Sequence, residues 1–232
     1  MTFVRWGIPT LFWATLVLGW AIWLVPAGPF RWVVAAVAAF CWLFTLAFFR
    51  NPQRTAQGGA NAFIAPADGV VADITECDEP TFVGERCVRI GIFLSVFDVH
   101  VNRSPCAGVI RFADYRPGAF LDARHPDVSH ANEANILGIE AEIGAGGAGK
   151  PGLKFLLVQL SGLIARRIIC THGVGERLQR GELYGMIKFG SRTELWLPVS
   201  AAAKVTVQVG QRVRCGETII AEIPSPMATV TP

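Results

Sequence analysis

Residues 8–25 and 32–49 form two uncharged apolar runs of eighteen residues each, IPTLFWATLVLGWAIWLV and WVVAAVAAFCWLFTLAFF. Pro26, Gly28 and Pro29 break the chain between them. At 1.5 Å per residue each run makes a helix of about 27 Å, close to the hydrocarbon thickness of a bilayer. Neither run carries a polar stripe, which argues against a hairpin laid on a soluble core. A signal peptide would be shorter, and no second apolar run would follow it. The expectation is a transmembrane helical hairpin over residues 1–50, with helices over about 8–25 and 32–49. Trp6, Trp32 and Trp42 include ring positions suited to the interface, although Trp13, Trp20 and Trp23 fall inside the runs.

Arg5 flanks the first run, Arg31 sits in the connection, and Arg50 and Arg54 follow the second run. The two outer ends together carry more positive charge than the turn. The positive-inside rule then puts the N-terminus and the rest of the chain on the cytoplasmic side of the membrane. The whole chain is 52% apolar and 17% charged, and the hairpin accounts for the excess of apolar residues. A net charge of +3 without a basic, aromatic-laced stripe gives no reason to expect a nucleic-acid partner. The six cysteines form no C-x-x-C pair and none is spaced with a His as a zinc site requires. They read as reduced thiols, and no metal is expected.

Residues 51–62, beginning NPQRTAQGGAN, read as a polar linker. From residue 63 to 232 short β-prone runs alternate with Gly, Pro and Asp, among them GVVADI, CVRIGIFL, KFLLVQL and TELWLPV. The expected body is mainly β, a sandwich or barrel-like domain. Val-Gly-Glu-Arg occurs at 83–86 and 174–177, and Val-Gly-Gln-Arg at 209–212; the first and last copies sit just ahead of an apolar strand-like run, as a glycine turn before a strand would. The last copy, VGQRVRCGETIIAEI, looks like a biotinyl or lipoyl carrier hairpin, but neither Lys188 nor Lys204 sits at a carrier-like hairpin tip. GAGGAGKPG at 144–152 reads as a flexible loop, and 122–135 as a solvated polar loop or a lid. His125 and His130 lie in that loop, and His172 reads as structural.

Two stretches carry candidate chemistry. FLSVFDVHVNRSP at 93–105 would put Asp98, His100 and Asn102 on one face of an extended strand. Alone, that pattern also fits a solvated strand edge. KFGSR at 188–192 contains a Gly-Ser pair, a common turn dipeptide, but lies between two strand-like runs with a basic residue on each side.

These stretches, together with FFRNPQR (48–54), APADGVV (65–71) and MIKFGSRTELWLP (186–198), resemble the short-form phosphatidylserine decarboxylase proenzymes, in the family's order over most of the chain. The resemblance implies self-cleavage between Gly190 and Ser191 and conversion of Ser191 to a covalent pyruvoyl group. It implies a Schiff base to the substrate amine and loss of CO2 from phosphatidylserine in the membrane, giving phosphatidylethanolamine. The product would be a heterodimer of fragments 1–190 and 191–232. By resemblance, Asp68 orients or charge-stabilises a His in an Asp68–His100–Ser191 arrangement, with His100 the acid–base group. Long-form relatives carry a second His where this chain has Arg103, so His100 would serve both steps or another residue would help. Arg103, Lys188 and Arg192 are candidates for the lipid phosphodiester. Two other readings are a pyruvoyl decarboxylase for a soluble amino acid and a non-catalytic membrane adaptor.

Overall fold

The computed structural model describes residues 2–142, 152–163, 167–188 and 190–224. The chain divides into two compact units, residues 1–53 and 54–232.

In the first unit β1 (Thr2–Phe3) pairs antiparallel with β2 (Arg50–Asn51), bracketing α1 (Ile8–Leu24) and α2 (Pro29–Phe48). Both helices are long and apolar enough to cross a membrane. α1 fully buries no residue and α2 only Phe48, so most of their large apolar side chains are exposed, among them Phe12, Trp13, Trp20, Trp23, Trp32 and Phe40. Two threonines inside the hairpin are satisfied locally. Thr15 Oγ1 donates to the Leu11 carbonyl at 2.8 Å and accepts from Trp42 Nε1 at 2.9 Å, tying the helices together. Thr45 Oγ1 donates to the Cys41 carbonyl at 2.8 Å. Such internal pairing is what a low-dielectric surrounding demands of a hydroxyl.

The second unit is mainly β, as the sequence predicts. It opens with β3 (Ala62–Ile64), β4 (Gly69–Glu79), β5 (Glu85–Leu94), β6 (Val101–Arg103) and β7 (Gly108–Arg116). The short α3 (Val128–Ala131) precedes β8 (Ala134–Ala141), β9 (Leu153–Leu160), β10 (Arg167–Cys170) and β11 (Arg177–Leu178). Then follow β12 (Leu183–Lys188), β13 (Ser191–Pro198), β14 (Lys204–Val205), β15 (Arg212–Val213) and β16 (Ile219–Glu222). One curled sheet of eight strands has the order β11-β7-β8-β9-β13-β5-β4-β15. Two three-stranded sheets, β10-β12-β6 and β14-β16-β3, complete the unit.

Alternation along the central strands builds the core. Ile90, Ile92 and Leu94 on β5, Leu195 and Leu197 on β13, and Phe155 and Leu157 on β9 share one buried cluster. The intervening Trp196, Leu156 and Val158 join a second cluster, so β13 is buried along its whole length. The repeated Val-Gly motif has a plain physical cause: Gly84, Gly175 and Gly210 all hold positive φ, each in a turn just ahead of a strand. Within the expected linker, Asn51 belongs to β2 and Arg54 is tied into the second unit by Asp68. The Gly-Ala loop expected at 144–152 falls, apart from Gly152, outside the described residues. Among the described residues every cysteine is a free thiol.

Candidate functional site

Ser191 begins β13, which is bonded on one side to β5 and on the other to β9. It is fully buried, and among the described residues its Oγ has no hydrogen-bond partner. A buried hydroxyl left unbonded costs about 1–3 kcal/mol, which marks the position as one kept for something other than stability. Gly190, just outside the strand, holds φ +66°, a conformation that favours glycine.

His100 faces this bond. Its ring is fully buried, Nδ1 lies 2.9 Å from the Asp98 carbonyl, and Nε2 accepts from Gly190 N–H at 3.3 Å. A carbonyl can only accept, so in the neutral ring Nδ1 carries the hydrogen and Nε2 keeps its lone pair. Two residues on, Asn102 Nδ2 donates to Thr193 Oγ1 at 3.0 Å. Gln159 Nε2 donates to Asn102 Oδ1 at 2.8 Å and anchors that amide. Thus His100 sits against Gly190 and Asn102 against Thr193, on either side of Ser191 and Arg192.

Asp98 is placed differently from the expectation. The 93–105 stretch is not one strand: β5 stops at Leu94, a turn covers 95–98, and β6 starts at Val101. The Asp98 carboxylate caps that turn, accepting from Ser95 N and Oγ at 2.8 Å each, and pairs with Arg212 at 2.8 Å. Its contribution to His100 comes through the backbone carbonyl.

Asp68 lies in a neighbouring cluster. Its carboxylate meets Arg54 at 2.5 and 2.8 Å and accepts from Cys215 N at 2.7 Å. Burial pushes the Cys215 thiol up to about 12, so it stays protonated. Its Sγ donates to the Pro66 and Val101 carbonyls at 3.3 and 3.5 Å, linking this cluster to the residue after His100. The structure therefore joins His100 to Gly190, the residue before Ser191, and ties Asp68 to β6 through Cys215.

Arg192 is not available to a phosphate. Strand alternation turns it to the face opposite Ser191. It is 2% exposed, its Nη atoms bind Asp73 at 2.5 and 2.8 Å, and its Nε binds Glu194 at 2.7 Å. Burial raises the Asp73 carboxyl, but the bond and charge of Arg192, with Arg89, outweigh it and hold the group below its usual value. This is a paired buried network with no free face. Arg103 Nη1 donates to the Gly181 carbonyl at 2.9 Å. Lys188 lies half-buried across from Arg167, and burial first, then Arg167, lowers its ammonium pKa.

Sequence reading missed Gly162. A Cβ there would stand 2.4 Å from the Gly190 carbonyl oxygen, so only a glycine allows the present approach. A lone glycine after a strand carries no signal of that kind. A pocket of about 270 Å³ also adjoins Gly190, lined in part by the 122–124 segment. Among the described residues no group of three or more His, Cys, Asp or Glu side chains is arranged to hold a metal.

A sequence model of the family described as phosphatidylserine decarboxylase matches residues 42–221. Proteins named phosphatidylserine decarboxylase proenzyme are similar over most of their length. The one from Symbiobacterium thermophilum is 43% identical over 84% of this chain and 86% of its own. That from Carboxydothermus hydrogenoformans is 46% identical over 78% and 80%, and that from Rhodopirellula baltica 42% identical over 95% and 88%.

Proposed function

The chain belongs to the phosphatidylserine decarboxylase family, a decarboxylase processed from a proenzyme, and on that premise we propose that it cuts itself between Gly190 and Ser191. The cut product converts phosphatidylserine to phosphatidylethanolamine with a pyruvoyl group derived from Ser191. The observation that carries this reading is the buried, unbonded Ser191 Oγ beside a Gly190 whose N–H rests on His100 Nε2.

His100 Nε2 takes the Ser191 hydroxyl proton as Oγ attacks the Gly190 carbonyl carbon. The amide C–N bond breaks, its nitrogen gains a proton, and an ester joins Gly190 to Oγ. Loss of the Ser191 Cα proton then expels Gly190 as a carboxylate and leaves dehydroalanine. Water converts its imine tautomer to the ketone, releasing ammonia. The residues present fit this group: Ser191, whose Cα becomes the ketone carbon, is buried, and residues 192–198 remain held by β5 after the cut. The ketone would supply an electron sink for the bond to the departing carboxylate. Leu94 pairs with Ser191 across β5 and β13 and lends an apolar neighbour on that face, and His100 is the group placed to move a proton. Asp68, with Arg54 and Cys215, supports the backbone of β6 behind His100.

Fragments 1–190 and 191–232 stay together as a heterodimer in this reading. β13 is bonded between two strands of the larger fragment, and Arg192–Asp73, Arg212–Asp98 and Cys215–Asp68 cross the cut. The apolar hairpin anchors the protein in the membrane, with the catalytic unit on the cytoplasmic side, where its lipid substrate lies in the bilayer.

Purified protein in mixed micelles is expected to release CO2 from phosphatidylserine and not from free serine. Equal release from both would favour a soluble amino-acid substrate, and none from either would refute the enzyme reading. Gly162→Ala is expected to slow self-cleavage by about 100-fold, because the new methyl must displace the attacked carbonyl by a sizeable fraction of an ångström or more. A time course of fragment appearance on denaturing gels measures it, and a wild-type rate would mean the Gly190 carbonyl needs no such approach.

A further inference from the structure

Of the three cations expected to meet the phosphodiester, Arg192 is withdrawn, and neither Arg103 nor Lys188 is among the described residues lining the pocket beside Gly190. The pocket beside Gly190 has an apolar wall of Phe93, Leu94, Val96, Ala123 and Leu163. Among the described residues lining it, Arg124 is the one cation.

Arg124 is held in place without being used up. Asp122 binds its Nε at 3.0 Å and its Nη2 at 2.8 Å, and the guanidinium carbon lies 5.5 Å from the centre of the Phe93 ring. That leaves Nη1 and one hydrogen of Nη2 for a ligand. The side chain is 68% exposed, at the rim of the pocket, whereas the bond to be cut is buried. A headgroup whose amine reaches toward position 191 would leave its phosphate near such a rim.

Resting on the reading above, we infer that Arg124 is the specificity residue that binds the phosphodiester oxygens of the lipid headgroup. The substrate carboxylate is the other anion available, and the chemistry speaks against it. An ion pair to the carboxylate would stabilise the ground state and be lost as CO2 departs. The phosphodiester keeps its charge from substrate to product, so a guanidinium there aids binding without opposing the reaction.

Glycerol 3-phosphate carries the phosphate and lacks both amine and carboxylate, so it probes this subsite alone. Titration calorimetry on the processed protein is expected to show its affinity falling about 10- to 100-fold in Arg124→Gln, the span of a charge-assisted hydrogen bond, with partial recovery in Arg124→Lys. The KM for phosphatidylserine rises by a similar factor, and kcat/KM for glycerophosphoserine falls with it. The fragment pattern on a gel is the control for folding. Undetectable binding to wild type, or equal binding to wild type and Arg124→Gln, overturns the assignment. A wild-type protein that is uncut or inert toward phosphatidylserine would instead fail the family-based reading, a different result.

Discussion

Ser191→Ala protein is expected to remain one chain on a denaturing gel, where the wild type separates into fragments 1–190 and 191–232. The difference should be all or none, because the acyl shift needs an oxygen on residue 191 and alanine has none. A carbonyl-directed reagent should label the smaller wild-type fragment and leave Ser191→Ala unlabelled. Intact mass then locates the new terminus. The variant also has a favourable physical property for this test. Ser191 Oγ is buried and unbonded, so removing it takes away a desolvated hydroxyl and no hydrogen bond. Loss of cutting in a well-folded Ser191→Ala protein therefore reports chemistry and not collapse. Wild-type protein that stays whole under varied conditions would sink the mechanism.

Much of this fold was legible in sequence because its signals are local. Two unbroken apolar runs define α1 and α2, and alternation with turn residues marks β4, β5, β9 and β13. What sequence could not display is which distant groups meet. Arg192 follows Ser191 directly, which invites a shared role, yet in a strand adjacent residues point to opposite faces, and Asp73 and Glu194 wait on the other one. The same alternation, applied to 93–105, misplaced Asp98, because a turn at 95–98 interrupts the strand and resets the period. Gly162 and Arg124 sit in loop segments whose value depends on meeting Gly190, across 28 and 66 residues of chain, respectively. No local pattern encodes such a meeting.

His100→Ala is expected to slow self-cleavage by about 100- to 10,000-fold, the usual worth of a positioned general base. The geometry is specific about why. The Asp98 carbonyl holds Nδ1 as the hydrogen-bearing nitrogen, so Nε2 is the basic atom, and it already touches the Gly190 N–H. Asp98 itself is locked by Ser95 and by Arg212, which comes from the far side of the cut. The base is thus oriented by both future fragments, before and after cleavage. By the resemblance, Arg103 stands where long-form relatives carry a second histidine, so either His100 serves both cutting and decarboxylation or another residue helps. Two separate measurements follow from that. The rate of fragment appearance reports the first step. CO2 release per cut molecule, taken after long incubation has accumulated processed His100→Ala protein, reports the second. Both should fall. If cutting slows and the processed fraction turns over normally, a different group donates the proton during decarboxylation. If cutting proceeds at the wild-type rate, His100 is not the base that activates Ser191.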